Sequence, residues 1–302
     1  FLEKTLFSVT NSPSNYELVV IDAGSSDSTK EILRKYDEKI KYWVSEPDNG
    51  QSDAINKGLT QVSGEVFNWL NADDFLEASA FEDIVSAFEG DSDVDVVVGK
   101  ERVVDASGNE EIAINPGTCV SGCLEDLIFE GIIDQPATYW RKTVVDQLCN
   151  LPVDLHFTMD SYWWTRYLIE NGLSKVRKLD RVVVNFRVHP DSKSCQLQER
   201  FDGERWSIRL ALAKRLGMRP AVIDYCEEAS SVNLDGEVFE GLKPSQDVSV
   251  ECLEGVFCRE IYPRYYMRRD YAKAKECFDV ACRTGTLKFG YKRLIDTLRL
   301  KY

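Results

Sequence analysis

Two adjacent carboxylates, Asp73 and Asp74, follow a short apolar run in the segment GEVFNWLNADDF at residues 64–75. The run that begins at Val66 is typical of a buried strand that ends in a polar turn. Ligands bind at the carboxyl ends of strands in open α/β sheets, and carboxylate oxygens are ligands that Mg²⁺ and Mn²⁺ prefer. The pair also fits a solvated turn before a helix that begins near Ala78. Taken alone, it leaves both a metal site and a structural turn open.

Two earlier predicted strands also end in polar turns. The strand YELVVID at residues 16–22 ends in Asp22 and continues into AGSSDST, and the strand at residues 40–44 continues into SEPDNG. The carboxyl ends of parallel strands lie at one edge of a sheet, so we expect these turns to lie together. Neither a GxxxxGK[ST] loop nor a GxGxxG fingerprint occurs in the sequence, which argues against an ATP P-loop or a dinucleotide site.

Two later segments carry further candidate residues. HFTMDSYWWTRYL at residues 156–168 has helical spacing, and Asp160 lies near the predicted start of that helix. A carboxylate there is either a functional group or a side chain stabilised by the helix dipole. His189 follows a basic strand at residues 175–188, and a histidine in a loop is a metal ligand, a phosphate donor or neither.

The order of the predicted elements indicates an α/β fold. Strands alternate with helices of about ten residues in the first ninety residues, which predicts a mainly parallel sheet flanked by helices. A long helix is predicted at 196–216 and a pair of helices at 265–282 and 287–300. We therefore expect two domains, at residues 1–199 and 200–302, the second an α-helical appendage.

Composition narrows the functional class. The chain of 302 residues has a net charge of −14, which argues against nucleic-acid binding. Its nine cysteines form no CxxC pattern and, in a chain without a recognisable signal peptide, suggest a reducing, cytoplasmic location. Residues 259–302 contain 12 Lys and Arg against 5 Asp and Glu. Such a basic region is either a solvated helix face or a peripheral contact with the inner face of a membrane.

Six segments together resemble the inverting family-2 glycosyltransferases (GT2), which have the GT-A fold, a Rossmann-like sheet flanked by helices. The matches follow the family's order over about residues 1–195. They are ELVVIDAGSSDSTKEIL (17–33), EPDNGQSDAINKGL (46–59), GEVFNWLNADD (64–74), DQPATYWRKTVVDQL (134–148), LHFTMDSYWWTR (155–166) and FRVHPDSKS (186–194).

The resemblance implies a sugar transfer from a nucleotide-diphosphate sugar, such as a UDP-hexose, to a hydroxyl of a glycan or lipid-linked acceptor in polysaccharide biosynthesis. It implies Mn²⁺ or Mg²⁺ as cofactor, with Asp74 and His189 as metal ligands and Asp160 as catalytic base. It also implies a set of residues that bind the nucleotide sugar. They are Asp22, Gly24, Ser25, Asp48, Gln51, Asp53, Asn56, Asp73, His189 and Lys193.

The sequence departs from the family pattern at three points. The family opens with a strand that this chain lacks, so either the chain is a fragment without its first strand or another segment supplies that strand. Ala23 and Asn71 each stand where many relatives carry an Asp. The competing hypotheses are a non-catalytic, sugar-nucleotide-binding module of a larger assembly and a nucleotidyltransferase. The latter is disfavoured because the start of the chain has no glycine-rich basic loop.

Overall fold

The computed structural model describes residues 1–12, 15–118, 120–193, 197–234 and 236–287, with no side-chain description at 236 and 237. The chain divides into two compact units. The first comprises residues 1–120, 132–167 and 173–201, and the second comprises residues 121–131, 168–172 and 202–302.

The first unit begins with an α/β alternation and continues as a mixed sheet. Its elements in chain order, with the helix of the second unit that interrupts them (α5), are α1 (Leu2–Thr10), β1 (Val19–Asp22), α2 (Thr29–Lys35), β2 (Tyr42–Ser45), α3 (Gln51–Leu59), β3 (Val66–Phe67), β4 (Phe75–Leu76), α4 (Ala80–Glu89), β5 (Val96–Val104), β6 (Glu111–Asn115), α5 (Leu124–Glu130), β7 (Thr138–Arg141), α6 (Lys142–Gln147), α7 (Met159–Asn171) and β8 (Val176–Arg187).

The strands of the first unit form two sheets. β1 and β2 pair in parallel, with Asp22 opposite Ser45. The second sheet has the order β3-β7-β5-β8-β4, with β6 paired to β5. At its centre β5 runs parallel to β8, with Val104 opposite Arg187. The long strand β8 is therefore paired with the central strand β5 up to Arg187, which fixes where the following segment begins.

The strand directions of the second sheet differ from the predicted mainly parallel arrangement. Only the β5–β8 pairing is parallel in that sheet as described, and the other four pairings are antiparallel. Parallel neighbours need a crossover connection, usually a helix, whereas antiparallel neighbours can follow a tight turn. The turn between β5 and β6, which contains Ser107, Gly108 and Asn109, is such a connection. The regular β–α alternation stops after α4, and the sequence holds no local signal for the directions of the later strands.

An aromatic cluster fills the core of the first unit beside α7. The Trp163 ring makes edge contacts with the rings of Phe67, Trp69 and Trp140, at centroid distances of 5.5–6.4 Å. Trp140 and Trp163 are almost completely buried. Aromatic pairs in this geometry add to the stabilisation from burial, so they fix the start of α7 against the sheet.

The second unit is helical. Besides α5 and the end of α7, it contains α8 (Gln198–Arg215), α9 (Pro220–Ala229), α10 (Val250–Met267) and α11 (Tyr271–Arg283). The predicted helix at residues 265–282 is wrong in its boundaries, because α10 ends at Met267 and Arg269 adopts a left-handed conformation (φ 64°) before α11. The predicted helix at 287–300 lies outside the described residues except for Leu287. None of the described helices combines the length and hydropathy needed to span a bilayer.

Close packing of α10 against the end of α11 depends on Gly255. A Cβ atom at this position would lie 2.0 Å from Thr284 Oγ1 and 2.8 Å from Thr284 Cβ. We predict that Gly255→Ala lowers the free energy of unfolding by about 1–3 kcal/mol through overpacking, although alanine is the better helix former. Urea unfolding checks this. Gly58→Ala inside α3 is the matched control, since its Cβ would meet nothing nearer than 3.7 Å. Equal stability of Gly255→Ala and the wild type would contradict the prediction.

Candidate functional site

Asp73 and His189 form a direct pair between the β3–β4 connection and the segment after β8. His189 Nε2 lies 3.0 Å from Asp73 Oδ2, and both side chains are partly accessible. The ring of His189 also packs against the ring of Phe1, with centroids 4.8 Å apart. An imidazole nitrogen and a carboxylate oxygen thus lie within hydrogen-bonding distance of each other beside the β3–β4 connection.

Asp74 is fully buried, in contrast to its neighbour. Its Oδ1 accepts a hydrogen bond from the backbone N–H of Arg187 at 2.9 Å, and Asn71 lies 3.4 Å from its Oδ2. Burial, together with the negative charge of Asp73, raises the pKa of Asp74 to about 7. In the structure the Asp74 carboxyl group anchors the turn and presents no oxygen to solvent, and its role as a metal ligand stays a prediction.

Arg187 holds the Asp73–Asp74 turn from the other side. Its Nε donates to the backbone carbonyl of Asp73 at 2.8 Å, and its Nη1 donates to that of Ala106 at 2.8 Å. The guanidinium lies 4.6 Å from the ring centroid of Phe1. The residue is only 2% exposed. The end of β8 therefore fixes both the backbone and the buried carboxyl group of the turn.

Gln51, the first residue of α3, connects two of the candidate segments. Its Nε2 donates to Asn71 Oδ1 at 2.8 Å, and its Oε1 accepts from Lys193 Nζ at 3.2 Å. Lys193 also donates to the backbone carbonyl of His156 at 3.2 Å. The ammonium group of Lys193 is thereby linked, through Gln51 and Asn71, to the β3–β4 connection that carries Asp73.

The turn before α3 requires glycine at position 50. Gly50 has φ 105°, and a Cβ there would lie 2.6 Å from His156 Nδ1. Its N–H donates to Asp48 Oδ1 at 2.9 Å. The predicted residue Asp48 thus shapes the loop that delivers Gln51.

Asp22 lies at the end of β1 within a small hydrogen-bonded group. Its carboxylate accepts from the N–H and hydroxyl of Ser25 and from the hydroxyl of Ser45. Burial alone would raise the pKa of Asp22, but these hydrogen bonds outweigh it and hold the pKa below its usual value. Gly24 adopts φ 81° in the same turn. The carboxylate is therefore ionised and fixed in orientation.

Asp160 lies in the first turn of α7, one residue after its start at Met159. Its Oδ1 accepts a hydrogen bond from the backbone N–H of Ser161 at 2.7 Å. The side chain is half-buried. Since the aromatic cluster holds α7, this carboxylate has a rigid support.

Two predicted site residues are engaged elsewhere. Asn56 exchanges hydrogen bonds with the backbone of Leu151 through both its Nδ2 and its Oδ1, at 2.8 and 2.9 Å. Asp53 accepts from the backbone N–H of Asn49 and lies 3.4 Å from Lys57 Nζ. Asp53 thus stabilises the start of α3, and Asn56 connects α3 to the segment at Leu151.

Glu101 is a buried carboxyl group that the sequence analysis did not single out. It lies on β5, is 4% exposed, and accepts from Asn115 Nδ2 at 2.7 Å. Burial, with the charges of Asp134 and Asp74, raises the pKa of Glu101 to about 8. The sequence signal was the charged run Lys100, Glu101 and Arg102 between the apolar ends of the strand VVVGKERVV. Arg187 was missed in the same way, as a charged residue at the end of a β-branched strand.

The Asp73–His189 pair supplies part of the ligand set that a divalent cation needs. No set of three His, Cys, Asp or Glu side chains among the described residues is arranged to hold a metal ion by itself. Asp73 and His189 supply two suitable atoms, an oxygen and a nitrogen. Mg²⁺ in phosphate-transfer sites is commonly held by one or two protein carboxylates together with substrate phosphates. The pair therefore fits a cation whose remaining ligands come from a diphosphate and water.

Sequence comparison identifies related proteins. The chain matches the family described as Glycosyl transferase family 2 over residues 1–167, more than half of its length. It is 34% identical over 97 residues to the probable glycosyltransferase YdaM of Bacillus subtilis, covering 30% of this chain and 23% of YdaM. It is 27% identical over 131 residues to the glycosyltransferase GlyG of Streptococcus pneumoniae, covering 42% of each chain. The matched segments thus span less than half of these relatives.

Structural comparison supports the predicted fold class. Residues 1–349 of S. aureus TarS, in a complex with UDP-GlcNAc, superpose with a TM-score of 0.58 at 15% identity, covering 94% of this chain and 88% of TarS 1–349. The mannosyltransferase PcManGT of Pyrobaculum calidifontis, in a complex with GDP-Man and Mn²⁺, gives a TM-score of 0.50 at 15% identity, covering 99% and 75%. The expected GT-A-like α/β fold with a helical C-terminal region is confirmed.

The buried Glu101 carboxyl group predicts a pH-dependent stability. Because folding raises the pKa of Glu101 from its ordinary value of 4.5 to about 8, the protonated residue stabilises the fold fully below pH 4.5, and that contribution is lost as the pH rises through 8. We predict that Glu101→Gln, whose Oε1 can still accept from Asn115, is more stable than the wild type at pH 8 by an amount on the order of a few kcal/mol.

Urea unfolding at pH 4 and pH 8 checks this prediction. The stability difference should be small at pH 4 and grow towards pH 8. The exposed Glu110→Gln serves as a matched control and should show no such trend. A pH-independent difference for Glu101→Gln would contradict the assignment.

Proposed function

This chain belongs to the family-2 glycosyltransferases, and we propose that it transfers a sugar from a nucleotide-diphosphate sugar to a hydroxyl group of a glycan or lipid-linked acceptor. The observation that carries the proposal is the convergence of Asp73, His189, Gln51 and Lys193 at the β3–β4 connection. A carboxylate–imidazole pair, and an ammonium group linked through Gln51 to the same connection, would suit a diphosphate and its cation. The UDP-GlcNAc complex of TarS supports UDP as the first nucleotide to test.

We assign nucleotide recognition to the turn after β1. The ionised carboxylate of Asp22 can accept hydrogen bonds from a base or ribose, and Ser25 and Ser45 hold it in position. Gly24 contributes no side chain to this turn and adopts the left-handed conformation that the turn requires. Asp48 contributes by shaping the adjacent loop through the N–H of Gly50.

We assign the diphosphate to the space beside Asp73, His189 and Lys193. Asp73 and His189 would hold Mn²⁺ or Mg²⁺, which when bound supplies Lewis-acid stabilisation of the departing nucleoside diphosphate. Lys193, positioned by Gln51 and the His156 carbonyl, donates N–H groups to the same negative charge. Asp74 acts indirectly, since its buried carboxyl group fixes the turn that carries Asp73.

We assign proton removal to Asp160. Its carboxylate takes the proton of the acceptor hydroxyl as the oxygen attacks the anomeric carbon and the bond to the diphosphate breaks. A single displacement with a single base inverts the anomeric configuration. The support of α7 by the aromatic cluster around Trp163 gives this base a fixed position.

In this proposal residues 1–199 form the catalytic domain and residues 200–302 an accessory region. We propose that this activity takes place in the cytoplasm and serves the synthesis of a polysaccharide or glycoconjugate. A peripheral contact with an anionic membrane is assigned to the basic residues 259–302, on the basis of their 12 Lys and Arg against 5 Asp and Glu.

Asp160→Asn tests the catalytic assignment. We predict that the variant loses transfer by about 10²–10⁴-fold while its affinity for UDP is unchanged, because the amide cannot take a proton. Product formation and nucleoside diphosphate release are the measurements. Asp154→Asn, an exposed carboxylate just before α7, is the matched control and should retain full activity. Unchanged turnover in Asp160→Asn would remove this residue as the base.

The donor site is tested by thermal unfolding with UDP and Mn²⁺, separately and together. We predict that UDP in the presence of Mn²⁺ stabilises the wild type by about 2.7 kcal/mol at a hundredfold excess over Kd, which is more than the sum of the separate effects of the two ligands. Asp73→Asn and His189→Ala should lose this synergy. The control Asp146→Asn, a surface carboxylate on α6, should keep it. Equal responses in all four proteins would exclude the Asp73–His189 pair as the cation site.

The two experiments together separate catalysis from binding alone. Synergistic UDP and Mn²⁺ binding without product from any nucleotide sugar would favour a non-catalytic sugar-nucleotide-binding module. Release of pyrophosphate instead of a nucleoside diphosphate would favour a nucleotidyltransferase.

A further inference from the structure

The second unit contains a continuous alternation of guanidinium groups and aromatic rings, which we call the arginine stack. The Arg209 Cζ lies 4.2 Å from the ring centroid of Phe129 and 4.6 Å from that of Trp206. The Arg264 Cζ lies 5.1 Å from the same Trp206 ring and 5.6 Å from Tyr225. In order, the stack is Phe129, Arg209, Trp206, Arg264, Tyr225 and Arg268.

The two central arginines lack carboxylate partners. Arg209 donates through Nε to the Phe129 carbonyl, and Arg264 donates through Nη1 to the Tyr225 hydroxyl. Neither forms an ion pair with any of the described residues, although the chain contains 51 Asp and Glu. By contrast, Arg268 at the end of the stack pairs with Glu228. Several guanidinium N–H groups at the centre are therefore available to an acceptor.

Arg205 adds a third positive charge beside the stack. Its Nε is buried without a hydrogen-bond partner in the described part of the chain, and its Nη1 lies 3.5 Å from the exposed Asp202. Burial, reinforced by the positive charges of Arg205 and Arg264, lowers the pKa of Arg209 to about 10. Cation–π contacts stabilise each guanidinium separately, but they do not offset repulsion between neighbouring cations.

We propose that Arg205, Arg209 and Arg264 form a binding site for a phosphate group carried by a carbohydrate ligand of the helical unit. Guanidinium forks match phosphate oxygens in a bidentate geometry, and a dianion would offset the mutual repulsion of these three neighbouring arginines. The aromatic rings are buried, so they orient the arginines and do not form a platform for a sugar. The carbohydrate carrier rests on the proposed function, in which a glycan is the acceptor, whereas the phosphate site itself does not.

The test is thermal unfolding of the whole chain in inorganic phosphate against chloride at equal ionic strength. Phosphate and glucose 6-phosphate should raise the unfolding temperature saturably, and glucose should not. Arg264→Gln, a change at an exposed side chain that should leave folding intact, should weaken the apparent phosphate affinity about tenfold or more. Arg283→Gln, an exposed arginine of α11 paired at 3.7 Å with Glu251, is the matched control and should respond like the wild type.

A second variant separates this site from the donor site. His189→Ala should keep the phosphate response of the arginine stack while losing the UDP–Mn²⁺ synergy, so either proposal can fail alone. Three results would overturn the phosphate–carbohydrate proposal. They are no phosphate-specific stabilisation of the wild type, an undiminished response in Arg264→Gln, and Arg264-dependent binding to phosphatidic-acid vesicles without a response to glucose 6-phosphate.

Discussion

The candidate site depends on one buried contact, in which the backbone N–H of Arg187 donates to the Asp74 carboxyl group. Burying a carboxyl group is unfavourable unless hydrogen bonds replace the lost water, and this contact provides one. The Arg187 side chain adds a second link, to the Asp73 carbonyl. Strand and turn are thus fixed to each other, and removal of either partner would leave a buried polar group unsatisfied.

This contact determines where the accessible groups lie. His189 follows Arg187 by two residues, so the same strand end that fixes the Asp73 backbone also brings an imidazole to the Asp73 carboxylate. Gln51 extends the arrangement by joining the turn to Lys193. Groups held by strand ends and a helix start are more precisely placed than groups on long loops, which suits a site that must orient a charged leaving group.

The sequence predicted the elements that carry these residues but not their tertiary contacts. Asp22, Asp73 and Asp160 were identified because each lies at the end or start of an element whose local period is strong. The burial of Asp74 and the backbone contacts of Asn56 could not be predicted, because their partners lie 113 and 95 residues away in the chain. The directions of the later strands were missed for the same reason, since pairing between distant strands has no local signature.

The interior of the first unit also shows an electrostatic compromise. Asp74 and Glu101 are almost fully buried and Asp134 is partly buried, and for all three burial raises the pKa. Each group therefore favours the folded state less at neutral pH than a neutral isostere would. A fold selected for stability alone would avoid this arrangement, whereas perturbed carboxyl groups near a cleft are typical of sites that bind or react. The raised pKa values of these three carboxyl groups, more than any single motif, distinguish their surroundings from an ordinary protein core.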